Sequence, residues 1–213
     1  MNRFSSTKCS TQIVCVEHLQ KGKNKVCLES GESFILYSSE MRSLGLREGD
    51  YLSEEVYQKI LSEIIGKRAK KRALYLLEKM DRTESQLREK LATSNYPSEC
   101  IEEAIAYAYK YHYLDDLRYA QNYIRYKQDK LSRQQIRQKL MAKGVSRDKI
   151  EMALTEEYTG DETYQIITLL QKKRYKGEGR DTAEFRKTYQ YLLRRGFSSS
   201  AILKEMDRIQ MSS

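Results

Sequence analysis

The chain has 213 residues, of which 39% are hydrophobic and 32% charged, with 17 Tyr, one Pro and a net charge of +9. Aromatic richness with a single Pro argues against disorder, and the absence of any run of about 18 apolar residues argues against a membrane span. Residues 1–10 lack the apolar core of a secretory signal, so we expect a cytoplasmic chain of one or two domains built from small helical units with thin cores.

In chain order, residues 1–10 read as a frayed end. Residues 13–19 mix β-branched and small apolar side chains and predict a strand. Residues 25–29 and 33–37 flank Ser30-Gly31-Glu32 as a hairpin, with a further turn at Lys21-Gly22-Lys23-Asn24. Three strands alone are marginal, so the sheet needs a cover. A short helix at 39–44 and a longer one at 53–65, capped by Ser53, supply it. Residues 44–50 form the turn between them. Gly66 is expected to break or kink the second helix. Residues 1–65 thus make a β-hairpin-plus-helix extension.

From there the pattern repeats. Residues 67–80 open a first three-helix unit with a basic run followed by Ala73, Leu74, Leu76, Leu77 and Met80. The clearest unit lies at 114–154. Its first helix starts at Asp115 or Asp116 and aligns Leu117, Ala120 and Ile124. Its second starts at Ser132, with Gln135 completing a capping box, and aligns Ile136 and Leu140. Gly144 stops it, since the residue past a helix end often needs positive φ. The third starts at Ser146 and aligns Ile150, Ala153 and Leu154. Subtracting 49 places Thr83, Gln86, Leu87, Leu91, Asn95, Ile101, Ala104 and Ile105 on the same roles, and Asn tolerates the left-handed region best after Gly. Adding 52 places Leu192, Gly196, Phe197, Ser198, Ile202 and Met206 likewise. A period near 50 predicts three tandem three-helix repeats at 66–113, 114–158 and 159–213. In the third, Asp181 and Glu184 are expected to form the cap of the middle helix. Tyr107, Tyr109, Tyr111 and Tyr113 are expected to fill a seam between units rather than stack on bases.

The chemistry-bearing residues are few. His18 and His112 lack a nucleophile setting, and Asp115-Asp116 reads as a helix start rather than a metal site. The glycine-punctuated 172–180 stretch lacks the Gly-Lys-Ser/Thr of a phosphate loop. Cys9, Cys15, Cys27 and Cys100 are expected to be free thiols. Cys9, Cys15, His18 and Cys27 lack the Cys-x2-Cys spacing of structural zinc, so buried strand residues are the default. No enzyme, metal or cofactor is expected. The charge is more telling. Residues 118–150 hold ten Lys and Arg against two Asp and Glu, whereas 80–117 hold four against eight. A block of that density points to an anionic partner.

Tyr113-Leu114-Asp115-Asp116-Leu117-Arg118-Tyr119-Ala120, with Ile136-Arg137-Gln138-Lys139-Leu140 and Lys143-Gly144-Val145, resembles the RecX family of bacterial recombination regulators. The likeness is strong over 66–158 and weaker over 159–213, and the 128–131 loop lacks the glycine the family pattern suggests. The resemblance implies three tandem three-helix repeats in an elongated, curved array. It also implies a monomer that binds RecA along the groove of its filament on single-stranded DNA and inhibits it, with weak direct nucleic-acid binding and no catalysis. On that footing Arg118, Arg125, Lys127, Arg133, Arg137, Lys139 and Lys143 are the expected binding residues, and neutralising Arg133, Arg137 and Lys143 together should flatten the salt dependence. A stand-alone DNA-binding protein is the alternative, since short helices with a Gly turn mimic helix-turn-helix units.

Overall fold

The computed structural model describes residues 10–177 and 179–212; Cys9 and the rest of the expected frayed end before Ser10 lie outside them, as do Glu178 and Ser213, while Ser10 itself opens a strand. The chain divides into two compact units, one ending at Asp115 and one starting at Asp116.

The first unit opens with strands β1 (Ser10–Leu19), β2 (Lys23–Leu28) and β3 (Ser33–Tyr37) and helix α1 (Ser38–Leu44). A fourth strand, β4 (Tyr51–Ser53), follows where the sequence suggests only a turn leading into a helix. It pairs antiparallel with Ser10, Thr11 and Gln12, giving the order β3-β2-β1-β4. So short a strand has no alternation to read and exists because a distant partner pairs with it. The first hairpin turn sits earlier than expected. It spans Gln20–Gly22, with Lys21 at φ 63° and Gly22 at φ 67°, while Lys23 and Asn24 already belong to β2.

Ile13, Val26, Leu28, Phe34, Leu36 and Leu52 are buried on one face of this sheet. Met41 of α1 and Tyr57 of α2 (Glu54–Lys59) share their core. Ser53 caps α2 by accepting from the Val56 N–H. The chain then widens into a π-helical turn, Ile60–Gly66, and runs straight into α3 (Lys67–Lys79). Gly66 therefore does not break the helix. Its φ is −63°, and a Cβ there would lie 2.9 Å from the Leu61 carbonyl oxygen and 3.3 Å from Glu103 Oε2. Glycine serves close approach here. The Leu61 carbonyl also accepts from the Cys100 thiol at 3.5 Å. Helices α4 (Glu84–Thr93) and α5 (Ser98–Lys110) complete the unit, and the same core runs from the sheet through Ala69, Ala73, Leu76, Leu87, Leu91, Ile101, Ala104 and Ile105 to Leu114. Met80, just past α3, is exposed instead. Tyr109 packs against the core of this unit and donates its hydroxyl to Glu84 at 2.9 Å.

The second unit holds α6 (Asp116–Lys127), α7 (Arg133–Ala142) and α8 (Arg147–Glu157), then α9 (Glu162–Lys172), α10 (Ala183–Arg194) and α11 (Ser199–Ser212). The first trio buries Ala120, Ile124, Ile136, Leu140, Val145, Ile150, Ala153 and Leu154. The second trio buries Ile166, Leu170, Tyr175, Phe185, Leu192, Phe197, Ile202 and Met206. The capping boxes at Thr83–Gln86 and Ser132–Gln135 both form. The stops sit in the left-handed region, with Asn95 at φ 58°, Gly144 at 81° and Gly196 at 82°. The α10 cap differs from expectation. Thr182 accepts from the Phe185 N–H at 3.1 Å and donates to the Gly179 carbonyl at 2.8 Å, while Glu184 accepts from the Lys176 N–H. A hydroxyl can accept and donate at once, so Thr182 closes the preceding loop and the helix end together, which Asp181 cannot do.

The two trios of this unit meet at Ser132. Its hydroxyl donates to the Arg195 carbonyl at 2.6 Å, and a Cβ on Gly196 would fall 2.8 Å from Gln134 Cβ. Gly196 therefore answers to two demands, a positive φ and a close neighbour.

Candidate nucleic-acid interface

The seven expected cations lie on α6, α7 and the turn after α7. They do not form one class. Two guanidinium groups are closed by carboxylates within the unit. Arg125 Nε donates to Glu157 Oε2 at 2.6 Å, with a second N–H on the other oxygen. Arg137 donates to Glu151 at 2.6 and 3.0 Å and also to Gln134. Each is a bidentate fork. The hydrogen bond from Arg137 holds the Glu151 carboxyl below the usual carboxylate range, and that from Arg125 does the same to Glu157.

The others face differently. Lys127 Nζ lies 4.4 Å from the centre of the Tyr126 ring, and Tyr126 is 72% exposed. Lys143 Nζ lies 5.8 Å from the Tyr123 ring, and the Arg133 guanidinium 6.0 Å from the Tyr158 ring. Arg118 and Lys139 are exposed. Cations resting on aromatic faces keep their charge while their stems are ordered. Such pairs suit contact with phosphates and unstacked bases.

One cationic cluster is not apparent from the sequence. Lys173 Nζ and the Arg195 guanidinium lie 4.2 and 4.7 Å from the Tyr191 ring centre. Arg195 and the Tyr191 ring border a hollow of about 280 Å³ that Asp129, Lys130, Tyr164, Lys172 and Phe197 also line. The basic run at 172–176 is its visible signal, but the partners Lys130 and Tyr191 join it only through packing.

The remaining candidates are structural in place. Asp116 is 4% exposed, with Lys149 Nζ 3.9 Å from its carboxylate. His18 meets the buried Asn24 side chain. Tyr175 and Gly177 of the 172–180 stretch are packed inward; a Cβ on Gly177 would meet the Gln210 backbone at 2.9 Å. Cys100 is buried, which pushes its thiol up to about 11. Cys15 and Cys27 are free and only half-buried, facing each other across β1 and β2. Partial burial, then Cys27 and the Glu17 and Glu48 carboxylates, push the Cys15 thiol up.

Helical repeats behind a small β extension, with cations and tyrosines along short helices, define a protein built by repetition. Family models for the first, second and third three-helix domains of RecX match residues 69–107, 115–154 and 161–204. A regulatory protein RecX from Clostridium acetobutylicum is 30% identical over 91% of this chain and 95% of its own length. One from Vibrio campbellii is 33% identical over 69% of this chain and 94% of its own. A crystal structure of regulatory protein RecX superposes with a TM-score of 0.63 at 27% identity, covering 92% of this chain and 99% of that one. The chain belongs to the RecX family of regulatory proteins, with three three-helix repeats behind a small N-terminal strand extension. Among the described residues, no helix is long and apolar enough to cross a membrane.

Proposed function

We propose that this protein restrains RecA. It binds the RecA filament on single-stranded DNA, lies along the filament groove, and slows filament growth, ATP hydrolysis and strand exchange in homologous recombination. It acts in the cytoplasm as a monomer, catalyses no reaction and needs no cofactor.

Membership in a family of regulators supports the class of function. The observation that carries the binding assignment is the division among the second repeat's cations. Lys127, Arg133 and Lys143 lie over tyrosine rings and Lys139 is exposed, while Arg125 and Arg137 are held in bidentate forks by carboxylates. The first group meets the partner; the second orders the helices that present it. Closing a guanidinium onto an internal carboxylate removes most of its pull on a phosphate.

The test is binding to RecA filaments on labelled single-stranded DNA across a salt series. Neutralising Lys127, Lys139 and Lys143 together should weaken binding and lower the salt slope by roughly 0.7 for each phosphate that is no longer neutralised. Unchanged affinity at moderate salt would remove the assignment. Tight, sequence-dependent binding to bare duplex, equal to that for the filament, would instead favour a stand-alone DNA-binding protein.

A further inference from the structure

Cysteine spacing along the chain gives no reason to expect a metal, but strand register does. β1 pairs antiparallel with β2, and the register shifts by one residue between Ile13 and Cys15. Ile13 faces Leu28 and both are buried in the core. In a regular strand Cys15, two residues on, would share that face and oppose Val26. The extra residue, Val14, turns it over. Cys15 now opposes Cys27 on the outer face, and Val16 takes its place opposite the fully buried Val26. Glu17, next on the outer face, projects beside them. The two thiols and the Glu17 carboxylate place one ligand atom each within 4.8 Å of one another.

We propose that Cys15, Cys27 and Glu17 form a binding site for a thiophilic divalent cation of the zinc type, with solvent supplying the fourth position. A zinc–sulfur bond of about 2.3 Å and a tetrahedral angle put ligand atoms about 3.8 Å apart. Side-chain rotation of about 1 Å therefore closes the site without moving the strands. The thiols are half-buried and reachable, unlike Cys100. Glu48, whose carboxylate accepts from the Val16 N–H at 3.1 Å, adds a second negative charge beside the pair. A nearby cation is movable: Lys25 Nζ sits 3.8 Å from Glu17 Oε2, and both side chains are well exposed. Binding releases the two thiol protons to solvent and needs no oxidant. His18 takes no part, because its ring is turned to Asn24.

The test uses the full-length reduced protein titrated with cobalt(II), then zinc(II). The expected result is one cobalt per chain, with the thiolate-to-cobalt charge-transfer band and the visible bands of a tetrahedral ion, both erased by one equivalent of zinc. Cys27→Ser and Cys15→Ser should each abolish the charge-transfer band. Glu17→Gln should keep it while weakening affinity at least tenfold. Cys9→Ser and Cys100→Ser should leave it intact. Circular dichroism of each variant checks that the sheet is present. Absence of the band in the wild-type protein at stoichiometric cobalt, or its persistence in the Cys15→Ser and Cys27→Ser variants, would overturn the site. Because the readout needs no RecA, it stands apart from the regulatory reading.

Discussion

The second and third helices of the first two repeats, α4–α5 and α7–α8, are one structure written with opposite charge. At an offset of 49, Thr83 and Ser132 cap, Leu87 and Ile136 pack, and Asn95 and Gly144 stop the helix. The clamp between helices repeats as well, for Arg88 holds Glu102 as Arg137 holds Glu151. Outside the clamp, Lys90 and Lys139 still match, but the charge at three other positions does not repeat. Glu84 stands where Arg133 does, Glu78 where Lys127 does, and Ser94 where Lys143 does. The contacts at one pair of positions invert accordingly, with Tyr109 donating to Glu84 and Tyr158 facing the Arg133 guanidinium. Caps, core positions, stops and the clamp are kept between the repeats, whereas the charge at 84/133, 78/127 and 94/143 changes.

The equivalence is broken or sharpened by mutation. The largest effect is expected in the cores. Leu91→Ala and Leu140→Ala should each cost about 2–5 kcal/mol in chemical denaturation, because both leave a cavity at a fully buried site. A large loss at one and none at the other would break the correspondence.

Next come the helix stops. Gly144→Ala should cost about 1–2 kcal/mol for a side chain in the left-handed region. Gly196→Ala should cost more, because its Cβ also meets Gln134. Gly144→Asn should be milder than Gly144→Ala, as Asn95 occupies that conformation in the first repeat. Thermal melts of the three variants rank them. Smaller again is Ser132→Ala, at about 0.5–2 kcal/mol. Part of that cost is the bond to the Arg195 carbonyl, which the variant also loses.

The smallest effect belongs to the clamp. Arg137→Ala should cost under about 1 kcal/mol, since Glu151 is 39% exposed and solvent screens the pair. Its pH signature is nevertheless specific. A carboxyl held below its ordinary range stabilises the fold above about pH 4–5, and that gain is lost as pH falls through the folded-state value. Glu151→Gln should flatten the acid limb of the stability curve, and an unchanged limb would show that the pair adds nothing.

Caps, stripes and stops are legible in the sequence because each is a local pattern of three to four residues. Ser132 with Gln135, or Leu140 with Gly144, needs no knowledge of the rest of the chain. What escapes depends on distant partners. β4 exists through pairing with residues about 40 positions away, and the bulge at Val14 shows only against β2. The π-helical turn before Gly66 likewise shows only in the folded backbone. The clamp of Arg137 on Glu151 does not show in a single repeat. The charge pair Arg88 and Glu102, 49 residues earlier, is the available signal. The basic face is legible as a density of charge, but not its division between cations clamped by carboxylates and cations laid on tyrosine rings.

The central claim is that this chain acts on RecA through the filament. Steady-state ATP hydrolysis by RecA on single-stranded DNA, measured with this protein far below the RecA concentration, tests it most directly. Inhibition that the Lys127, Lys139 and Lys143 neutralisation relieves, and that Arg125→Gln leaves largely intact, is the predicted result. Hydrolysis that proceeds unchanged at every concentration of the protein would contradict it.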